Sequence, residues 1–139
     1  MRGLPLVQGL YSPALSYVLI VDDEPDLITL LRDQISMLGH EVAVARDGVE
    51  GLQLALERRP DVVVTDVIMP NMDGPEMLQE LRRRDETRDV PVIALTALTD
   101  ARTRTRLANL GVVGFLAKPY SMRDLARQIE QACAGARRD

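Results

Sequence analysis

The chain has 139 residues, of which 46% are hydrophobic and 27% are charged, and its formal net charge is -4. This length and composition are typical of one soluble globular domain. The acidic balance gives no reason to expect direct binding to nucleic acid, and no apolar run is long enough to cross a membrane. The single cysteine cannot form an internal disulfide, which favours a reducing cytoplasm.

The two ends of the chain set the predicted domain organisation. Residues 1–15 are interrupted by proline and glycine and lead to no small-residue cleavage site, so a disordered leader or tag is predicted rather than a signal peptide. Residues 16–135 are predicted to form one domain, and residues 136–139 a C-terminal tail. The chain stops directly after the last predicted helix, which leaves open a stand-alone protein or a domain cut from a longer one.

Five short apolar runs predict the strands, at 17–21, 41–45, 61–65, 91–95 and 114–117. The first, third and fourth runs are almost continuously apolar and rich in β-branched residues, as expected for strands covered on both faces. The second run alternates and the last is short, which favours positions nearer an edge of the sheet.

Helical patterns fill the remaining intervals, at 26–38, 47–59, 75–84, 100–110 and 121–134. The inward stripe predicted for the first helix is Leu27, Leu30, Leu31, Ile35 and Leu38. Asp47 and Ser121 are predicted to cap the second and fifth helices. Strands alternating with helices at this spacing predict right-handed βαβ crossovers, and therefore a parallel α/β sheet with helices on both faces.

Polar side chains follow the strands at the edge where open parallel sheets bind their ligands. They are Asp22, Asp23, Glu24, Asp66, Thr96 and Lys118. Two carboxylates about 4 Å apart repel by roughly 4 kcal/mol at an effective dielectric near 20. Such a cluster should either raise the pKa of one carboxyl strongly or recruit cations, and a hard divalent cation is the natural solution. Mg²⁺ prefers one or two carboxylates together with phosphate oxygens. The sequence therefore predicts a magnesium-dependent site for phosphoryl transfer.

Three of these residues have distinct predicted tasks. Asp66 ends the central apolar run and is the best candidate for a carboxylate nucleophile, while the adjacent pair Asp22 and Asp23 is assigned to the metal. Lys118 is the only lysine among 17 cationic side chains. A compact ammonium fits beside a metal-bound phosphoryl group better than the broad guanidinium fork of arginine does.

Four segments resemble, in order and spacing, the receiver domain of two-component response regulators: VLIVDDEPDLITLL, VVVTDVIMPNMDG, VIALTA and GFLAKP. The resemblance covers about residues 17–134 and implies a flavodoxin-like (βα)5 sandwich with strand order 2-1-3-4-5. It also implies transfer of a phosphoryl group to an aspartate from the phosphohistidine of a sensor histidine kinase or a histidine phosphotransfer protein. Mg²⁺ is the implied cofactor, with Mn²⁺ as a substitute. Such a protein is a signalling phosphoacceptor rather than an enzyme.

Matched position by position, the resemblance makes Asp66 the phosphoacceptor. It places Asp22 and Asp23 around the metal, together with Asp66. Ile68 would lend its backbone carbonyl to the same ion.

The resemblance also implies the parts of a switch. Thr96 would bind the phosphoryl group and shift on activation, and Lys118 would pair with a phosphoryl oxygen. Phe115 would turn inward when Thr96 moves. Pro119 matches a position where the family often has a cis Lys-Pro bond.

The face formed by the fourth helix, fifth strand and fifth helix would contact a downstream protein or a second copy in a phosphorylation-dependent homodimer. Arg102, Arg104 and Arg106 lie on that fourth helix, and an exposed arginine-rich helix without a partner is an equal alternative. Arg82, Arg83 and Arg84 are expected to be a solvated helix end.

Two positions depart from common forms of the family, because Ile68 and Leu98 are apolar where many relatives are polar. They flank the route of a hydrolytic water, so slow loss of the phosphoryl group is predicted. A haloacid-dehalogenase-like phosphatase would want an acid at position 68, and a flavin-binding module would want a phosphate loop after the first strand. A receiver-like domain that only binds proteins stays open as an alternative.

Overall fold

A computed structural model describes residues 16–97 and 100–138 of the chain. The elements are β1 (Tyr17–Val21), α1 (Pro25–Met37), β2 (Glu41–Ala45), α2 (Gly48–Glu57), β3 (Val62–Asp66), α3 (Gly74–Arg83), β4 (Val92–Thr96), α4 (Ala101–Asn109), β5 (Val112–Ala117) and α5 (Met122–Arg138). The predicted leader and Leu98 lie outside the described residues. Within the described ranges, no helix combines the length and apolar character needed to cross a bilayer.

The strands pair in parallel in the order β2-β1-β3-β4-β5, which confirms the predicted flavodoxin-like order. The two runs predicted to lie nearer an edge, β2 and β5, are the edge strands. β5 begins at Val112 rather than at the predicted Gly114, and its register against β4 shifts between Val92 and Ile93. The three central strands carry the apolar runs, because both of their faces are covered.

Two apolar clusters fill the space between the sheet and the helices. Alternate residues of one strand enter opposite clusters: Ile20 packs beneath α1 and α5, and Val21 packs beneath α2, α3 and α4. This period of two is the geometry of an extended strand. Burial of each such side chain contributes about 1.5–3 kcal/mol. The result is the predicted three-layer sandwich.

Helix ends follow local capping chemistry. The Asp47 carboxylate accepts a hydrogen bond from the backbone N–H of Glu50 at 2.8 Å, and the Ser121 hydroxyl accepts one from Asp124 N–H at 3.1 Å, so both predicted caps are confirmed. Each such cap stabilises its helix by about 1 kcal/mol. α5 continues to Arg138, beyond the predicted end at residue 134.

The inward face of α1 differs from the predicted stripe. The buried residues are Ile28, Leu31 and Ile35, whereas Leu30 is 50% exposed. Successive residues of a helix are rotated by about 100°, so a face centred on Leu31 turns Leu30 toward solvent. Leu38 follows the last helical residue and is also exposed.

Arg82 is not the solvated helix end that the arginine run predicted. Its guanidinium donates hydrogen bonds to the carbonyls of Leu110 and Arg88 at 2.8 Å and of Val90 at 2.7 Å. These bonds tie the end of α3 to the segment before β4 and to the end of α4. Arg83, in contrast, is exposed.

Candidate functional site

The carboxyl ends of β1, β3, β4 and β5 gather the predicted polar residues at one edge of the sheet. Asp22 directly follows β1, Asp66 and Thr96 are the last residues of their strands, and Lys118 directly follows β5. In the strand register Asp66 pairs with Leu95, and Thr96 pairs with Ala117. Parallel pairing therefore brings residues far apart in sequence to adjacent positions.

Three carboxylates meet at this edge. Asp22, Asp23 and Asp66 each offer one oxygen, and these oxygens all lie within 4.8 Å of one another. Asp22 is completely buried, Asp66 is partly buried and Asp23 is exposed. Hard oxygen donors at this spacing suit a divalent cation such as Mg²⁺.

The position of Asp22 is fixed by hydrogen bonds of its backbone and of one carboxylate oxygen, whereas its other oxygen accepts no hydrogen bond from the part of the chain that the structure describes. Its backbone N–H donates to the carbonyl of Ala45 at 3.0 Å, and its Oδ1 accepts from the N–H of Glu24 at 2.9 Å. Its Oδ2 is buried and has no hydrogen-bond partner among the described residues. A buried carboxylate oxygen that accepts no hydrogen bond and lies beside two other acids fits a metal ligand, so these donors suit Mg²⁺.

Burial raises the pKa of the Asp22 carboxyl, and the negative charges of Asp66 and Asp23 add to this effect. The Glu24 amide and the Lys118 ammonium act in the opposite direction and lower that pKa. The net result is a raised pKa, so folding makes the ionised form of Asp22 less favourable than it is in water. A bound cation would relieve this cost.

Lys118 bridges the two inner acids. Its Nζ lies 3.2 Å from Asp66 Oδ2 and 3.9 Å from Asp22 Oδ2. The other oxygen of Asp66 accepts a hydrogen bond from the N–H of Val67 at 2.7 Å. The side chains of Lys118 and Asp66 are 24% and 16% exposed, so an incoming group can reach both.

The backbone of β5 fixes Lys118 beside Thr96. The N–H of Lys118 donates to the carbonyl of Thr96 at 3.0 Å, and Thr96 is buried. The Lys118–Pro119 peptide bond is cis, as the resemblance implied. Thr96 and Lys118 therefore lie on neighbouring strand ends, next to the acids.

The loop after β3 packs against the start of α2, a contact that was not predicted from the sequence. Asn71 has a positive φ of 68° and donates from its side chain to Asp47 Oδ2 at 2.7 Å. Gly48 N–H donates to the carbonyl of Met72 at 2.9 Å, and a Cβ on Gly48 would lie only 2.5 Å from that oxygen. The segment that contains Ile68 is thereby held in place.

Ile68 lies in this loop, two residues after Asp66, and its side chain is 63% exposed. Asn is among the residues that tolerate a positive φ, so the Asn71 turn left a weak signal in the sequence. The contact with Asp47 left none, because the two residues belong to different loops.

Phe115 is partly buried and packs against the cluster beneath α2, α3 and α4. The guanidinium carbon of Arg104 lies 4.7 Å from the centre of its ring. Tyr120 follows the cis Lys118–Pro119 bond. Burial raises the pKa of Tyr120 to about 12, and the negative charge of Asp22 is a second cause.

Comparison with known proteins agrees with this geometry. The family model described as response regulator receiver domain matches residues 18–130. A probable transcriptional regulator, ycf27 of Guillardia theta, is 42% identical over 112 residues, which are 81% of this chain and 43% of that protein. The sensor histidine kinase TmoS of Ectopseudomonas mendocina is 35% identical over 112 residues, which are 81% of this chain and 11% of that protein. This chain thus spans less than half the length of either relative.

A solved structure adds the three-dimensional comparison. The receiver domain of sensor histidine kinase PA1611 from Pseudomonas aeruginosa, described with a magnesium ion coordinated in its active-site cleft, superposes with a TM-score of 0.80. The two chains are 30% identical, and the match covers 87% of this chain and 99% of that one. With the sheet order and the acidic cluster described above, these matches show that the chain belongs to the response regulator receiver domain family.

Proposed function

We propose that this receiver domain accepts a phosphoryl group on Asp66 from the phosphohistidine of a sensor histidine kinase or a histidine phosphotransfer protein. The observation that carries the proposal is the position of Lys118 Nζ, 3.2 Å from Asp66 and 3.9 Å from Asp22. The phosphoryl group must enter the space between these carboxylates, and the ammonium of Lys118 supplies a positive charge there.

Asp22, Asp23 and Asp66 would hold Mg²⁺, with the backbone carbonyl of Ile68 as a further ligand and Mn²⁺ as a substitute. The unpartnered Oδ2 of buried Asp22 supports this assignment. When bound, the ion would offset negative charge on the phosphoryl oxygens.

Transfer needs in-line attack by a carboxylate oxygen of Asp66 on phosphorus. The new P–O bond forms as the P–N bond to the donor histidine breaks, and the imidazole nitrogen keeps the bonding electron pair. The Val67 N–H holds the Asp66 carboxylate in one orientation. Lys118 would then move its ion pair from the Asp66 carboxylate to a phosphoryl oxygen, where its charge stabilises the developing negative charge.

The new phosphoryl group carries about two negative charges, while the charge of the Asp66 carboxylate is lost as the acyl phosphate forms. The Thr96 hydroxyl would turn toward the phosphoryl oxygens. Movement of Thr96 would let Phe115 turn further inward and change the α4–β5–α5 face, which would contact a downstream protein or a second copy of the chain. The domain, expected over residues 16–135 and in the cytoplasm, would act as a signalling switch rather than as an enzyme with turnover.

The test is incubation with Mg²⁺ and acetyl phosphate, followed by intact mass measurement. Wild-type protein should gain the mass of one phosphoryl group, and hydroxylamine should remove it. Asp66→Asn should gain nothing, whereas Asp33→Asn, which changes an exposed acid on α1, should react like wild type. An adduct that survives in Asp66→Asn, or no adduct on wild type, contradicts the proposal.

A further inference from the structure

An open groove of about 600 Å³ lies between α3 and α4. Gln79 of α3 forms part of its lining, and α4 contributes Arg102, Thr105, Arg106 and Asn109. The α4 residues recur at spacings of three and four, so they share one side of the helix. The volume is in the range of ligand-binding clefts. The lining exposes more apolar than polar surface, and side chains that donate hydrogen bonds lie along its α4 side. The space is large enough for a short peptide segment.

The arginines of α4 divide between two sides of the helix. Arg104 packs on the ring of Phe115. Arg102 precedes Arg104 by two positions, and Arg106 follows it by two. Two positions on a helix correspond to a rotation of about 200°, so both side chains point away from Phe115 and toward the groove. Both are exposed, and neither forms an ion pair with any residue in 16–97 or 100–138.

Nearby acids on α3 are already engaged. Glu80 pairs with Arg84 at 3.0 Å and with Arg83 at 3.1 Å. Glu76 accepts a hydrogen bond from the N–H of Asp73 at 3.0 Å as part of a capping box. The groove lining contains no acidic residue. Asp100, which caps the start of α4, lies close enough to Arg102 for the two charges to interact, but its carboxylate already accepts the N–H of Thr103 at 2.8 Å. Among the described residues, the groove lining thus carries two arginines and no carboxylate, on a chain whose net charge is negative.

We propose that this groove docks an acidic segment of a partner protein. Arg102 and Arg106 would each bind one carboxylate, since arginine pairs with carboxylates in a bidentate geometry. Residues four apart on a helix are about 6 Å apart, which matches two acids one helical turn apart or two residues apart on an extended strand. An apolar residue beside the acids would pack on Leu110, which also lines the groove.

The groove lies on the side of α4 away from Phe115, so the proposed site is distinct from the α4–β5–α5 face. Docking needs only the arginines in their present places. It can be tested on unphosphorylated protein, and its outcome does not depend on phosphoryl transfer to Asp66.

The probe is a set of short fluorescein-labelled peptides, each with one leucine and two glutamates at helical or strand spacing. Matched peptides carry glutamine or lysine in place of glutamate. Anisotropy gives the affinity, and ¹⁵N NMR of the full chain locates the site. Glutamate peptides should bind and shift the amide signals of Gln79, Thr105 and Asn109.

The double variant Arg102→Gln, Arg106→Gln should weaken binding about tenfold and flatten its salt dependence. The matched control is Arg32→Gln, Arg59→Gln, which removes two exposed arginines on other parts of the surface and should leave affinity unchanged. The NMR spectrum of each variant checks that it is folded.

Several results would overturn the proposal. They are the absence of binding by every glutamate peptide, equal binding by glutamine peptides, an equal loss in the control variant, or shifts confined to other residues. Displacement by inorganic phosphate at equal concentration would indicate a small-anion site instead. The same amide shifts on concentrating the protein alone would indicate a second copy as the occupant.

Discussion

The guanidinium of Arg104 stacks on the ring of Phe115, with its central carbon 4.7 Å from the ring centre. The contact joins α4 directly to β5, at the residue proposed to be the aromatic switch. A cation–π contact at an exposed site contributes about 0.5–1 kcal/mol. Arg104 therefore stabilises the present position of the ring.

Replacing Arg104 by glutamine should free Phe115. Loss of about 0.5–1 kcal/mol shifts the equilibrium toward the inward ring about two- to fivefold. Phe115 is the only phenylalanine of the chain, so its ring signals in NMR report that shift without overlap from another phenylalanine. Arg106→Gln is the control on the same helix. Identical ring signals in Arg104→Gln and wild type would show that the stacking does not restrain the ring.

Lys118→Arg should slow phosphorylation although the charge is kept. A guanidinium is broader than an ammonium and favours bidentate pairing, so it should fit poorly between Asp22 and Asp66. The rate of adduct formation with acetyl phosphate should fall at least about tenfold. Lys118→Met should fall further, because it also removes the charge. If Lys118→Arg reacts at the wild-type rate, the single lysine is an accident of composition.

Asp22→Asn should stabilise the metal-free fold at neutral pH, because it removes a buried negative charge that lies close to two other carboxylates. Burial raises the pKa of Asp22, so the neutral carboxyl is the form that the fold favours. Protonation of Asp22 therefore stabilises the fold below the ordinary aspartate pKa of about 4. This stabilisation is lost as the pH rises through the raised pKa of Asp22 in the folded protein. The gain in Asp22→Asn should therefore shrink in acid, as measured by urea unfolding in EDTA.

Mg²⁺ adds a second measurement to the same variant. The ion should raise the melting temperature of wild type, because it binds only the folded state, and it should not raise that of Asp22→Asn. Asp23→Asn, at an exposed position, is the control for the stability gain and should show little of it. A metal-free Asp22→Asn that is less stable than wild type at neutral pH contradicts the electrostatic account.

Ile68→Gln should accelerate loss of the phosphoryl group several-fold. The Ile68 side chain is 63% exposed two residues after Asp66, and an amide there could position a water for attack. Repeated mass measurements after removal of the phosphodonor give the lifetime. Val113→Gln, at a 60% exposed valine of β5, is the control. A wild-type adduct that decays within seconds would remove the prediction of slow loss.

Arg82→Met should destabilise the fold by about 3 kcal/mol. Hydrogen bonds to charged groups contribute more than neutral ones, and their loss leaves partly buried carbonyls unpaired. Arg83→Met, at the neighbouring exposed position, should change stability by less than about 0.5 kcal/mol. Urea unfolding measures both. Equal losses in the two variants would mean that the carbonyl contacts of Arg82 contribute little.

The strands and the polar residues at their carboxyl ends could be predicted from the sequence, because both signals are local. An apolar run that stops abruptly at Asp22 or Asp66 marks at once a buried strand and the end where ligands bind. The right-handed crossover rule fixes the handedness of each connection but allows several strand orders. The order 2-1-3-4-5 was therefore predictable only from the family resemblance.

The missed contacts are all tertiary. Arg82, Arg83 and Arg84 look equivalent in sequence. Arg82 differs because the fold brings several backbone carbonyls within its reach, including that of Leu110. The side chains of Arg104 and Phe115 meet because α4 crosses β5, which no sequence spacing encodes. The error at Leu30 has another cause, since a leucine-rich helix offers more apolar positions than one buried face can use.

Arg82 also anchors one end of α4. Its Nε and Nη2 donate to the carbonyls of Leu110 and Gly111, at 2.8 Å and 3.4 Å, at the C-terminal end of α4. The opposite end begins at Ala101, soon after Thr96. A displacement that starts at Thr96 would therefore tilt α4 about its anchored end instead of sliding the whole helix. Arg102 would sweep the widest arc, while the last turn of α4 would remain nearly still.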